Sequence, residues 1–133
     1  MLRTMTCTLT QGAANDYVER EFKFPSRSRI TIIRADIAIA SHVILDEDHI
    51  FLGIAKGAVS AITPPSDNQC VWYKDYLQVG NQAGGVDLSW TIQNLPSFNN
   101  DKFTCWFDTD SYAALALTAY FTLLVDIKPI QGV

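Results

Sequence analysis

The sequence has few of the residues from which disulfide, metal and hydrolytic sites are usually built. Its 133 residues include only two histidines and three cysteines, and 18% of them are charged. Cys7, Cys70 and Cys105 are far apart, whereas disulfide frameworks and zinc sites use closely spaced cysteines. We therefore expect three buried thiols, since free cysteine is among the most buried residue types. One disulfide formed in an oxidising setting is the alternative.

Catalytic and cofactor motifs are missing as well. The chain contains no G-x-S-x-G, no G-x-x-x-x-G-K-[ST], no G-x-G-x-x-G and no H-E-x-x-H. Asp108 and Asp110 are a conceivable acid–base pair, but two carboxylates at this spacing in a loop more often cap backbone amides. We predict a protein that is not an enzyme and that has no cofactor.

Long apolar runs and targeting segments are also absent. No stretch approaches the ~20 apolar residues of a membrane-spanning helix. The first residues, MLRTMTCTLTQ, lack the apolar core of a secretory signal, and no Asn-x-Ser/Thr acceptor occurs. We expect no membrane span and an origin outside a glycosylating secretory route.

Charge is unevenly distributed along the chain. Residues 1–40 hold six basic and four acidic side chains, a net +2, and residues 41–133 hold four basic and ten acidic ones, a net −6, giving −4 in total. An acidic protein is poorly suited to coating a phosphate backbone, so direct binding of nucleic acid is not expected.

What the chain does contain is period-two alternation, with 48% hydrophobic residues. Val86 to Ile92 alternate cleanly, and Pro25-Ser26 is expected to close an earlier strand. The apolar parity changes between Ile32 and Ile33, which indicates a β-bulge. About eight such segments, with no repeat and no linker, predict a single domain over residues 1–133. The predicted fold is all-β, a two-sheet antiparallel sandwich with jelly-roll topology.

The last segment alternates from Ala113 to Ile127 and is predicted as one strand, with a helical turn at its start as the alternative. Residues 94–101 are predicted as a loop. The predicted core contains Phe22, Ile32, Ile37, Leu88, Trp90, Ile92, Phe103, Phe121, Leu123 and Val125.

Two local groups of side chains are candidate binding sites. The first is an acidic loop that contains Asp46 and Asp48 and is flanked by His42 and His49. The spacing of these residues matches no known calcium loop, so a solvated loop without metal is predicted. Trp72, Tyr73 and Tyr76 are either core residues, which is favoured, or an aromatic row that holds a sugar.

The eight segments, the stretch FDTDSYAALALTAYFTLLVDI and the tail KPIQGV together resemble the single jelly roll of small viral structural proteins. The resemblance covers most of the chain in pattern and includes no family-specific motif. It implies a non-enzymatic virion subunit, assembled in the host cytoplasm, whose tail Lys128–Val133 contacts a neighbour. The long basic N-terminal arm of many genome-binding coat proteins is missing. This departure favours a vertex, penton, spike-base or decoration subunit, or a shell protein around an inner layer. A carbohydrate-binding sandwich is the alternative.

The basic stretch from Arg20 to Arg34 is interpreted as a surface that meets the acidic surface of a neighbouring copy or another virion protein. A mixed-charge strand edge that prevents aggregation is the competing interpretation. The predicted interface residues are Arg20, Arg27, Arg29, Arg34, Lys128 and Ile130.

Overall fold

A computed structural model describes residues 1–12, 17–44, 49–59, 67–79, 82–110 and 117–130. These residues form seven strands and one short 3-10 turn, Asp67–Gln69, and every strand pairing is antiparallel. No helix within the described ranges is long and apolar enough to cross a membrane. The strands are β1 Leu2–Thr10, β2 Val18–Ile44, β3 His49–Ala55, β4 Cys70–Leu77, β5 Gln82–Gln93, β6 Phe98–Asp110 and β7 Thr118–Pro129.

Strand β2, with 27 residues, is long because it belongs to both layers of the fold. Its first half pairs with β6, and its second half lies between β7 and β5. Strands β5 and β6 therefore follow one another along β2. Between them the Asn94 N–H donates to the carbonyl of Ile33 at 3.1 Å, and the hydroxyls of Thr31 and Ser97 share a hydrogen bond of 2.6 Å.

Dividing β2 between Lys23 and Ser28, where its pairing with β6 is interrupted, gives two four-stranded sheets. Sheet A has the order β1–β7–β2(second half)–β5, and sheet B has the order β2(first half)–β6–β3–β4. Every connection except the one between β3 and β4 crosses from one sheet to the other, and the first and last strands are neighbours. This is the double Greek key of a jelly roll, so the predicted fold class is confirmed. The eight predicted strand positions are filled by seven strands because β2 occupies two of them.

The two sheets face each other across one core. Just beyond β1, the Gln11 side-chain amide donates to the Thr109 hydroxyl of β6 at 2.9 Å, and β4 meets β5 where the Trp72 and Trp90 rings lie 6.5 Å apart. A single buried cluster includes side chains from β1, β2, β3, β6 and β7. The packing is therefore that of a sandwich.

Three boundaries differ from the sequence prediction. Pro25-Ser26 does not close a strand: β2 continues through it, and the pairing with β6 is interrupted only between Lys23 and Ser28. Strand β6 begins at Phe98, inside the predicted loop, and extends to Asp110. The alternative of a helical turn at the start of the last segment falls on residues outside the described part of the chain. Strand β7 begins at Thr118, and residues 111–116 lie outside the described part of the chain. The predicted bulge is confirmed by the register shift between Ile32 and Arg34.

Six of the ten predicted core residues are buried, and four are half-buried against the core. The half-buried ones all lie on edge strands, namely β5 and the first half of β2. Each of these has one neighbouring strand, so the side chains are left partly open at the edge of the sheet. The buried residues are Ile32, Ile37, Phe103, Phe121, Leu123 and Val125. The half-buried residues are Phe22, Leu88, Trp90 and Ile92.

Candidate assembly interface

Four of the six predicted interface residues lie together at one end of the sandwich. In the pairing of β2 with β7, Arg29 lies opposite Lys128. Just beyond it, the Ile130 N–H donates to the carbonyl of Arg27 at 3.1 Å. All four side chains are exposed, and Ile130 retains 41% of its surface. The pairing of β2 with β7 thus brings three cations and one exposed apolar side chain to the same end of the strands.

These residues lie at the same end of the strands as a cavity of ≈ 210 Å³. Each of them is next in sequence to a residue that lines the cavity, and Arg3 adds a fourth cation from within the lining. We call the cavity with Arg3, Arg27, Arg29, Lys128 and Ile130 the basic end. The cavity is lined by Met1, Arg3, Phe24, Pro25, Ser26, Ser28, Ile127 and Pro129.

Asp126 is the acidic group beside the basic end. Its carboxylate lies 3.2 Å from the Met1 ammonium and 3.6 Å from the Lys128 Nζ. The hydrogen bond from the Met1 ammonium, with the charge of Lys128, holds the pKa of Asp126 below its usual value. This one carboxylate partly compensates the Met1 ammonium and Lys128, and the basic end, with Arg3, Arg27 and Arg29, keeps a net positive charge.

The other two predicted interface residues lie elsewhere. Arg20 is on the first half of β2, with its guanidinium 5.2 Å from the Phe22 ring centre. Arg34 lies on the outer face of sheet A, where its Nε is 2.9 Å from the Asp36 carboxylate. That contact, with a hydrogen bond from Thr91, lowers the pKa of Asp36. The charge of Arg34 is therefore compensated within the chain.

The candidate metal ligands are not assembled in the part of the chain that is described. His49 Nδ1 lies 3.0 Å from the Asp75 carboxylate, and its ring stacks on Phe51. Asp46 and Asp48 lie outside the described residues, as does the His42 side chain. Among the described residues no three His, Cys, Asp or Glu side chains are grouped as metal ligands would be.

The three aromatic residues of β4 point to different sides of sheet B. Trp72 and Tyr76 pack inward against the Trp90 ring, at centroid distances of 6.5 and 6.0 Å. Tyr73 lies on the outer face, 5.8 Å from the Trp106 ring. The three rings therefore do not form one exposed row.

Trp106 is a buried residue that the alternation did not predict. It has the outward parity of β6 and yet is 0% exposed, because the Tyr17 and Tyr73 rings cover it at 6.1 and 5.8 Å. Its indole Nε1 is buried and has no hydrogen-bond partner among the described residues. The signal in the sequence was Gly53, since a glycine inside a strand often marks the close approach of another group.

The three cysteines are all buried free thiols, as expected from their spacing. The thiols of Cys7 and Cys105 face each other across the two sheets, and this contact lowers the pKa of Cys7. Burial raises the pKa of the Cys105 thiol, which keeps it protonated and unreactive at neutral pH.

Comparison with known proteins shows similarity to solved structures only. No family model matches the chain, and no curated protein matches it. Among solved structures, a chain of Desmodium yellow mottle tymovirus aligns over 100% of this chain and 90% of its own length, with a TM-score of 0.38 and 7% sequence identity. A similarity of this size assigns no function, and the jelly-roll assignment rests on the strand order.

Proposed function

We propose that the chain is a non-enzymatic structural subunit of a virion, located in the particle and assembled in the host cytoplasm. Its role would be that of a capsid, vertex, penton, spike-base or decoration protein that associates with its own copies and with other coat proteins. The observation that supports this proposal is the basic end, where Arg27, Arg29, Lys128 and the exposed Ile130 lie at the same end of the strands as an apolar cavity.

The chemistry of the basic end suits docking. Arg3 is the one titratable side chain in the cavity lining, and the hydroxyls of Ser26 and Ser28 have no base beside them in that lining. Apolar walls within a charged rim are the usual arrangement of a protein–protein contact. No cofactor enters the proposal.

Acidic groups for the basic end to meet on a second copy are concentrated in residues 41–133. Residues 41–133 carry a net charge of −6. Ion pairs at an interface rim contribute only ~0–1 kcal/mol each, so they orient the partners while apolar contacts provide the affinity. Lys128 and Arg29 would orient the contact, and Ile130 with the cavity would hold it.

The experiment is a measurement of native mass by light scattering over a range of protein concentration. We expect the native protein to form oligomers. Arg29→Glu should lower the association constant about tenfold or more, because it reverses one of the charges of the basic end. Arg20→Glu is the matched control, because the same reversal is made on β2 away from the basic end. Equal effects of the two variants would mean that overall charge, and not the basic end, governs association.

The alternative function, a carbohydrate-binding module, leads if the chain stays monomeric at every concentration and salt level and binds no coat partner. Binding on a glycan array that is abolished by Trp72→Ala would then support it. Because Trp72 packs against Trp90, the folding of that variant must be checked by circular dichroism.

A further inference from the structure

Strand β1 lies at the edge of sheet A and has almost no charged residues. It pairs with β7 from Leu2 to Thr10 without any register shift, and within the described residues it pairs with no other strand. Arg3 is its one charged residue, and it contains no proline. The even-numbered residues are exposed, with 61% exposure at Leu2. One edge of β1 is therefore open and regular.

The other outer strands have the features that normally prevent edge-to-edge pairing. Strand β4 has Lys74, Asp75 and a register shift beside Ala55, and β5 has two register shifts. The first half of β2 has four charged residues before Pro25. Charges, prolines and irregular pairing are how natural sheets protect an edge, and β1 has only Arg3.

The hydrogen bonds fix which backbone groups of β1 face the open edge. Met1 and Ile127 exchange two hydrogen bonds, of 2.8 and 3.0 Å, and the Gln11 N–H donates to the carbonyl of Leu117 at 3.0 Å. Because the register between these points is unbroken, odd-numbered residues direct their backbone groups toward β7. The N–H and C=O groups that face the open edge are those of Leu2, Thr4, Thr6, Thr8 and Thr10.

We propose that β1 pairs with β1 of a second copy of this chain, antiparallel, across a two-fold axis at Thr6. The inference rests on the proposed self-association and specifies one contact of it. This is the register in which all five outward-facing residues of one strand meet all five of the other. Five pairs, each exchanging two hydrogen bonds, would join two copies of sheet A into one continuous sheet.

A second copy fits this edge in its side chains as well. Thr4 lies opposite Thr8 of the partner subunit, and Thr6 lies opposite Thr6 of the partner subunit. Facing threonines are favourable cross-strand pairs. The two Arg3 side chains fall at opposite ends of the ribbon, roughly 20 Å apart at ~3.4 Å per residue, which exceeds the ~10 Å Debye length. The charge of β1 therefore does not oppose the pairing.

Cysteine cross-linking tests the register directly. A hydrogen-bonded antiparallel pair has Cα atoms ~5.5 Å apart, within the range that a disulfide spans. Under mild oxidation Thr6→Cys should form a covalent dimer with itself. Thr4→Cys should join Thr8→Cys in a mixture and should not join itself. The matched control is Thr122→Cys, the exposed neighbour of Thr6 on β7, which should remain monomeric on a denaturing gel.

A second variant measures the contribution of the edge to association. Thr6→Lys places two like charges opposite each other and should weaken association about tenfold, whereas Thr122→Lys adds the same charge one strand away and should not. If native protein oligomerises while Thr6→Cys stays uncross-linked, the β1 contact is overturned and the proposed function stands. If native protein is monomeric throughout, the β1 contact fails, and the proposed function fails with it when the chain also binds no coat partner. Should Thr6→Lys not fold, the cysteine result decides.

Discussion

Gly53 leaves the space into which the Trp106 ring packs. A Cβ at this position would lie 2.7 Å from the carbonyl oxygen of Trp72 and 3.1 Å from two atoms of the Trp106 ring. The carbonyl belongs to the neighbouring strand β4, so it cannot move without disturbing the β3–β4 pairing. The Trp106 ring and the backbone of β4 thus explain why a glycine occupies the middle of β3.

Gly53→Ala should therefore lower the free energy of unfolding by about 1–3 kcal/mol, the usual cost of overpacking. Urea unfolding followed by circular dichroism measures this value. Ser89→Ala, a truncation at an exposed site, is the control and should stay within about 0.5 kcal/mol of the native protein. A Gly53→Ala protein as stable as the control would mean that the Trp106 ring is not held against β3.

The two tryptophans should differ in the cost of their removal. Trp106 is 0% exposed, so Trp106→Ala should cost ~3–5 kcal/mol. Trp90→Ala should cost less, because its ring is half-buried on the edge strand β5. The same urea measurements rank the two variants, and a larger loss at Trp90 would contradict the assigned burial.

Asp36 should titrate below the normal range of an aspartate. Because Arg34 and Thr91 hydrogen-bond to its carboxylate, the pKa is lowered in the folded protein. A lowered folded pKa adds stability above the unfolded pKa, and this stability is lost as pH falls through the folded pKa. NMR titration of the carboxyl carbon measures the value. Arg34→Gln should raise it toward normal, while Arg29→Gln should leave it unchanged.

At the scale of strands, β2 shows what sequence pattern can predict and where it stops. The alternation and the bulge after Ile32 follow from local parity, and both were predictable. The continuation through Pro25 was not, because proline ordinarily ends a strand and only pairing with distant β6 and β7 keeps this one extended. Burial of Trp106 likewise depends on rings from Tyr17 and Tyr73, which no period-two pattern includes.

The basic end shows the same limit for the candidate site. Its residues were predicted individually from charge and from the tail. That Arg29 and Lys128 are neighbours follows from the β2–β7 register, which joins positions about 100 residues apart and has no local signal. The separation of Arg20 and Arg34 from them has the same origin, since β2 passes from sheet B to sheet A between those two residues.

The contact between β1 and β6 determines thiol reactivity. Cys7 and Cys105 face each other between the sheets, and Cys70 is buried on the outer side of sheet B. We expect no rapid reaction of a thiol-specific reagent with the native protein and reaction of three thiols after unfolding in denaturant. Rapid modification of Cys105 in the native protein would show that the two sheets separate readily.

At the scale of the whole molecule, the uneven charge predicts how association depends on salt. Screening weakens attraction between distant charges, which accelerates encounter, but affects apolar contacts little. High salt should slow assembly more than it dissolves finished oligomers. Time-resolved light scattering measures the first effect, and dilution of assembled protein measures the second. Rapid dissolution of finished oligomers by salt would mean that ion pairs supply most of the affinity.

Because β2 is shared by both sheets, neither sheet can lose its order alone. Releasing β2 would expose backbone amides of β5, β6 and β7 at once, so local opening of this strand has nearly the free energy of global unfolding. Hydrogen exchange should therefore be slowest in β2 and its three partners, with one common protection level across both layers. In the proposed assembly, force applied to β2 by a neighbouring subunit would be divided between the two layers by a single continuous backbone.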